Sequence, residues 1–229
     1  MKTSTAIAIG SAALGASVLA TAPAQASPYS LDTMSSNMMS AAQASSLGVA
    51  GNHIRDFQYL EGTKESPDDF WLCDLAGDKQ VEVDGPPEVY VVSYASDKSR
   101  VATAAGQELY AFANVDDARE AMKAIRKASA KCSGTFTEQG ERWTIRHTLS
   151  HGTGMTAGGQ GFTWIKQGAQ AVDAPKGPDA HEYVTFRRAG QFVQVISLEL
   201  AGPQAPKLTS SQVKQVDTLT GTLGDYWAW

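Results

Sequence analysis

Two cysteines and one histidine are the residues of this chain whose types and positions could do chemistry. The 229 residues include only two cysteines, Cys73 and Cys132, so a single intrachain disulfide can form. Two free buried thiols, or a metal site with further ligands, are the alternatives. Zinc is disfavoured because the cysteines are far apart and form no CxxC motif or group with a nearby histidine pair. We expect no metal and no cofactor.

His147 is the titratable side chain that most suggests a binding or proton-transfer role. Alternation in RWTIRHTLS, from Arg142 to Ser150, predicts a strand on which His147 shares the apolar face with Trp143 and Ile145. A buried histidine can be a base or a ligand, but it is more often a hydrogen-bonded core residue. The HxxxH spacing to His151 spans about 13 Å on a strand, too far for a shared metal.

No other pattern in the sequence indicates catalysis. The glycine-rich segment HGTGMTAGGQG, His151 to Gly161, matches neither GxGxxG nor GxxxxGK[ST], and it joins two predicted strands. We interpret it as a hairpin loop. No GxSxG motif is present, so we expect a protein that is not an enzyme. An unrecognised secreted hydrolase is an alternative, which predicts His147 bonded to a carboxylate with a Ser or Thr hydroxyl in reach.

The first 26 residues have the pattern of a secretory signal peptide. Lys2 precedes an apolar run that ends at the small-residue exit Ala24-Gln25-Ala26. Residues 27–229 contain no internal repeat or linker and are enough for a single domain with its own core. Export would place both cysteines where disulfides persist. We therefore expect a secreted protein with one disulfide.

Charge and hydropathy exclude two classes of partner. The formal net charge of −5 disfavours nucleic acid, whose binding requires concentrated Lys and Arg. Beyond residue 26 no apolar run approaches the roughly 20 residues that span a bilayer. The basic pair Arg187-Arg188, in a predicted turn, is interpreted as solvated. We expect a monomer free of membrane and nucleic acid.

The segment from Asn114 to Gly134 is predicted to form an amphipathic helix, and this helix would place Cys132 in the core. Asn114 is its predicted N-cap, and Gly134 can supply a left-handed end. The residues of its apolar face recur at intervals of three and four: Ala118, Met122, Ile125, Ser129 and Cys132.

The remaining elements predict the fold class. A first helix is predicted over Thr33 to Leu47, and a last one begins at a Thr209–Gln212 capping box. Strands occur in runs between the helices rather than alternating with them. This order predicts an α+β fold, with an antiparallel or mixed sheet of about six to eight strands and helices packed on one face.

Several segments together match the pattern of a known family. They are FWLCDL around Cys73, the Asp117-Ala118 pair, Cys132-Ser133-Gly134, and FRRAGQFVQV. On these segments the chain, from Met34 to Leu223, resembles the PknH-like extracellular sensor domains of actinobacteria. The resemblance implies a Cys73–Cys132 disulfide and an α+β domain with a cleft along one sheet face for an unidentified ligand. It departs from the family where Tyr183 to Ala201 lacks a second disulfide.

We therefore expect a secreted, non-catalytic, sensor-like domain that binds an unknown small molecule or cell-envelope component. The expected site is concave and lies on the exposed sheet face, with Trp143 and Trp164 as walls and His147 or Arg146 as polar contacts. The alternative is a cell-surface protein-interaction module. That alternative predicts an exposed aromatic patch near Trp227 and Trp229.

Overall fold

A computed structural model describes the chain over most of its length. The described residues are 30–49, 53–61, 70–73, 81–86, 88–96, 101–139, 142–174 and 177–228. The predicted signal peptide, 1–26, and Trp229 lie outside them. The helices are α1 (Leu31–Asn37), α2 (Ala41–Ser46), α3 (Val115–Ser129) and α4 (Ser210–Asp225). The strands are β1 (His53–Glu61), β2 (Phe70–Leu72), β3 (Val81–Val83), β4 (Glu88–Ser96), β5 (Ala102–Ala111), β6 (Gly134–Gln139), β7 (Thr144–Met155), β8 (Gly161–Ala171), β9 (Pro178–Ala189) and β10 (Phe192–Pro203).

Eight of these strands form one antiparallel sheet in the order β1-β4-β5-β10-β9-β8-β7-β6. Strands β2 and β3 pair separately as a short antiparallel ribbon. The β9–β10 hairpin turns at Gly190, whose φ of 62° lies in the left-handed region that glycine adopts without strain. The predicted α+β class with an antiparallel sheet is confirmed, with a strand count at the top of the expected range.

The helices are divided between both faces of the sheet, which corrects the prediction of a single helical face. Helices α1, α2 and α4 pack on the face that includes Phe192 and Ile196, here called the α4 face. Helix α3 and the β2–β3 ribbon pack on the face that includes Val193 and Val195, the α3 face. The inner strands carry apolar side chains on both sides, so each side requires a cover.

The disulfide fixes the end of α3 to the β2–β3 ribbon. Asn114 caps α3, its side chain accepting bonds from the backbone N–H groups of Asp116 and Asp117. Cys132 follows the helix and bonds to Cys73, with a Cα–Cα distance of 5.7 Å. The predicted N-cap at Asn114 and the predicted Cys73–Cys132 disulfide are both confirmed. The predicted apolar face of α3 is buried throughout: Ala118, Met122, Ile125, Ser129 and Cys132.

The predicted first helix is broken into α1 and α2 around Met39. Ser40 begins α2 with a capping box to Gln43, which competes with continuation of α1. The backbone between the helices bonds instead to the sheet. The Met39 N–H donates to Gln107 Oε1 at 2.7 Å, and the Tyr94 hydroxyl donates to the Met39 carbonyl at 2.8 Å.

Most of the glycine-rich segment is strand rather than loop. Strand β7 continues to Met155, and only residues 156–160 connect it to β8. A Cβ at Gly152 would lie 2.5 Å from the Trp164 ring, so this glycine leaves space for a cross-strand aromatic side chain. Such covering of a strand glycine stabilises the sheet locally. The end of β7 could not be predicted from alternating apolar residues, because glycines occupy the positions where apolar side chains would be expected.

Arg187 is the other correction, because it is a buried strand residue and not part of a solvated turn. Its side chain is 0% exposed beneath the end of α4. Nη1 donates to the Thr220 carbonyl at 2.8 Å and also to the Gly221 carbonyl, and Nη2 donates to Asp225 Oδ1 at 2.6 Å. The guanidinium therefore anchors the end of the helix to β9.

Replacing Arg187 with Met is expected to lower the free energy of unfolding by about 3 kcal/mol, because buried helix carbonyls lose their donor. For a domain of this size this corresponds to a fall in Tm of roughly 6–12 °C. The control is R188M, since Arg188 is the half-buried neighbour whose guanidinium bonds only its local turn at Gly190. Its cost should be about 1 kcal/mol or less. Equal losses in the two variants would contradict the anchoring role.

The disulfide leads to a second prediction, which also concerns the free energy of unfolding. It closes a 59-residue separation, so replacing both Cys73 and Cys132 with Ala should lower the free energy of unfolding by about 4 kcal/mol in denaturant titration. Alkylation of the native, unreduced protein should add no mass. Two alkylated cysteines would show that the bond is absent from the native protein.

Candidate functional site

A hollow of about 430 Å³ lies on the part of the α4 face formed by β7, β8 and the start of β9. Helix α4 packs against β9 and β10, while Arg146, Thr148 and Ser150 on β7 remain exposed. We call this depression the basic hollow. The residues that line it are Arg146, Thr148, Ser150, Lys166, Gln167, Gly168, Gln170, His181 and Lys207.

Strand register aligns the middle of the basic hollow across three strands. Thr148 of β7 pairs with Gly168 of β8, which pairs with His181 of β9. A Cβ at Gly168 would lie 2.9 Å from His181 Nδ1. The glycine therefore lets the imidazole lie close over β8, and its missing side chain leaves the centre of the hollow open.

The flanking rows supply the charge. On one side Arg146 pairs with Gln170, which pairs with Asp179; on the other side Ser150 pairs with Lys166. Within the described part of the chain, Arg146, Lys166 and Lys207 form no ion pair. Asp179 and Arg146 both line a neighbouring depression of about 410 Å³. The basic hollow thus combines three cations, from β7, from β8 and from the segment before α4.

The charges around the basic hollow change the pKa of His181. Burial lowers its pKa below the ordinary value of 6.5, and the nearby cations Lys207 and Lys166 lower it further. Asp179 and a backbone hydrogen bond at Ala205 act in the opposite direction. The net effect favours the neutral imidazole, which can accept a hydrogen bond as well as donate one.

An aromatic pair borders the hollow on the α4 side. The rings of Trp164 and Tyr183 lie 6.0 Å apart. The Tyr183 hydroxyl donates to Asp217 Oδ1 of α4 at 2.8 Å. Burial, together with this bond, raises the pKa of Tyr183, while burial raises that of Asp217 and the bond partly offsets it. The pair packs beyond the lining of the hollow and links β8 and β9 to α4.

The four predicted binding residues do not form one site. Arg146 lines the basic hollow. Trp164 lies on the same face but packs over Gly152 and against Tyr183, beyond the lining. Trp143 is half-buried and precedes the first residue of β7, and His147 lies on the α3 face.

His147 occupies a buried position near the edge of the sheet. Its ring is 3% exposed and stacks on Phe136 at a centroid distance of 4.8 Å. Nε2 lies 3.0 Å from Glu138 Oε1, within ion-pair distance but without hydrogen-bond geometry. No hydroxyl of the described residues bonds to either ring nitrogen. The carboxylate of the hydrolase hypothesis is thus near His147, whereas a positioned nucleophile is not found in the described residues.

A second cavity, of about 250 Å³, lies on the α3 face between the disulfide and the sheet. Apolar side chains such as Phe70 and Val195 form much of its wall. Its two carboxylates are already engaged, since Glu108 accepts from the Tyr110 hydroxyl at 2.7 Å and Glu182 accepts from Gln167. This cavity has fewer polar groups available for a ligand than the basic hollow.

Neither a cluster of metal ligands nor a membrane-spanning helix occurs among the described residues. No group of three or more His, Cys, Asp or Glu side chains there could hold a metal ion. None of the described helices combines the length and apolar character needed to cross a bilayer.

Sequence reasoning missed most of the basic hollow. Lys166 and Gly168 lie on β8, His181 on β9 and Lys207 in the segment before α4, and none of them belongs to a recognisable motif. The register of β8 and β9 brings the first three together, and the segment before α4 adds Lys207. A signal was available in Gly168, since a glycine inside a strand often marks a close approach of another group.

The fold is similar to that of one solved extracellular domain. The structure is similar to the crystal structure of the extracellular domain of PknH from Mycobacterium tuberculosis, with a TM-score of 0.55. The similarity covers 87% of this chain and 97% of that chain, at 12% sequence identity. No protein-family model and no curated protein matches this chain. At this identity the similarity establishes the fold.

The lowered pKa of His181 predicts a dependence of stability on pH. Between the folded pKa and about 6.5 the unfolded chain binds more protons, so this residue makes stability rise with pH across that window. The Tm of the wild type should therefore rise more between about pH 5 and pH 7 than that of H181Q. K207Q should weaken the slope in part, because it removes a repelling cation. Parallel curves for all three proteins would contradict the prediction.

Proposed function

We propose that the protein is a secreted, non-catalytic, sensor-like domain that binds its ligand in the basic hollow. The observation that carries this proposal is the convergence of Arg146, Lys166, His181 and Lys207 on the part of the α4 face that no described helix covers. The ligand would be a small molecule or a component of the cell envelope, and the domain would act as a monomer.

The location outside the cell rests on three supports. The fold is similar to an extracellular domain of PknH, and the Cys73–Cys132 bond favours an oxidising compartment. The signal-peptide pattern of residues 1–26 agrees with export. We extend this to membership of the PknH-like sensor family, on the sequence segments around the two cysteines and the similar fold.

The chemistry of the hollow supports binding rather than catalysis. The Ser150 hydroxyl donates to the Lys166 carbonyl at 3.4 Å, so it is not held against the His181 ring. Nucleophilic catalysis by a hydroxyl needs an adjacent base within hydrogen-bond reach. The polar side chains of the hollow are instead spread around its rim, an arrangement suited to contacting several groups of one ligand.

The interaction-module alternative loses its main predicted feature. Trp227 is 2% exposed and packs edge-on against Phe192 at a centroid distance of 5.8 Å. It therefore contributes to the core and not to an exposed aromatic patch. Trp229, the other residue of that patch, lies outside the described residues.

A matched pair of strand variants tests the proposed site. Thr148 and Thr153 are both exposed on β7, but they lie on opposite faces of the sheet. We expect a thermal-shift screen of the purified protein against envelope glycans, lipids and small metabolites to find a class that raises the Tm. T148W should abolish that shift by filling the hollow, whereas T153W should retain it. A shift that survives T148W would place binding elsewhere and contradict the proposal.

A further inference from the structure

We infer that the basic hollow takes a small anionic ligand, whose phosphate-ester or carboxylate group the three cations hold. This inference rests on the proposed function and specifies the class of ligand. It is carried by the concentration of positive charge in one depression of a chain whose formal net charge is −5.

The cations gather in the hollow without compensation from carboxylates within it. Arg146, Lys166 and Lys207 make no ion pair with a described residue, and no Asp or Glu belongs to the lining. Like charges held close together repel one another. Both lysines lower the pKa of His181, whereas Asp179, which lines the neighbouring depression, raises it. A bound anion would offset the repulsion among the cations of the basic hollow.

Each cation approaches the basic hollow from a different segment of the chain, so that together the three could contact one ligand from several sides. Arg146 is on β7, Lys166 on β8, and Lys207 in the segment that precedes α4. The guanidinium offers a planar fork that matches the oxygens of a phosphate or carboxylate, and the lysines act as point charges.

Neutral polar side chains also line the basic hollow, and they limit the class of ligand further. Thr148, Ser150 and Gln170 present hydroxyl and amide groups beside the cations. Such groups suit a ligand that carries its own hydroxyls. The volume of about 430 Å³ suits a ligand of about one sugar unit. A sugar phosphate and a uronic acid share this chemistry, and the experiment distinguishes them.

Calorimetric titration of the purified protein tests the inference with four probes: inorganic phosphate, glucose 1-phosphate, glucuronate and uncharged glucose. We expect saturable binding of at least one anionic sugar, stronger than that of glucose and weakened by added salt. The double variant K166Q/K207Q should weaken it at least about tenfold. The control K127Q/K131Q removes the same charge from exposed lysines in α3 and just beyond it, and should bind as the wild type does.

Each other outcome overturns the inference. If both double variants weakened binding of the anionic probe equally, the probe would be attracted to positive charge in general and would have no specific site. No saturable binding of any anionic probe would show that the cations hold no such ligand. If glucose bound as tightly as its phosphate and T148W blocked it, the anionic class would be wrong while the proposed binding site would stand. If binding were saturable but unchanged by both K166Q/K207Q and T148W, the inferred class of ligand and the proposed binding site would both be wrong.

Discussion

The buried guanidinium of Arg187 holds the last helix in place, and much of the α4 face depends on that position. A buried cation is tolerated only when acceptors replace water. Here the carbonyls of Thr220 and Gly221, the carboxylate of Asp225 and the side chain of Gln160 do so. The same residue therefore joins β9, the end of α4 and the turn between β7 and β8.

Further hydrogen bonds extend this anchor across the core. The Gln194 amide donates to the Thr220 carbonyl at 3.2 Å, and the Gln107 amide donates to Gln194 at 3.3 Å. Gln107 in turn accepts from the Met39 N–H between α1 and α2. Satisfied buried polar groups specify one arrangement, because any slide would leave several of them unpaired. The helices of this face are thus fixed over the inner strands, and the part of β7 and β8 that lines the basic hollow remains uncovered on this face.

Local patterns in the sequence predicted many of the elements, whereas the residues of the basic hollow come together only in the folded sheet. The caps at Asn114 and Thr209 are local signals, and both helices begin there. The disulfide could be predicted because only one intrachain pair exists. Arg187 was misinterpreted because a charged residue beside a turn usually faces solvent, and its acceptors come from a helix more than 30 residues later. Most of the basic hollow was missed for the same reason: its strand residues meet only through the pairing of β7, β8 and β9, and Lys207 joins them from the segment before α4.

Glycine positions distinguish the basic hollow from an ordinary exposed stretch of sheet. Gly152 and Gly154 are overlain by the rings of Trp164 and Phe162, which cover the missing side chains. Gly168 is overlain by His181, a polar ring beside three cations. A strand glycine and concentrated like charge each lower stability, and neither is needed to build the sheet. Because such departures from local consistency concentrate at functional sites, their coincidence around Gly168 is what favours this position for the proposed binding site.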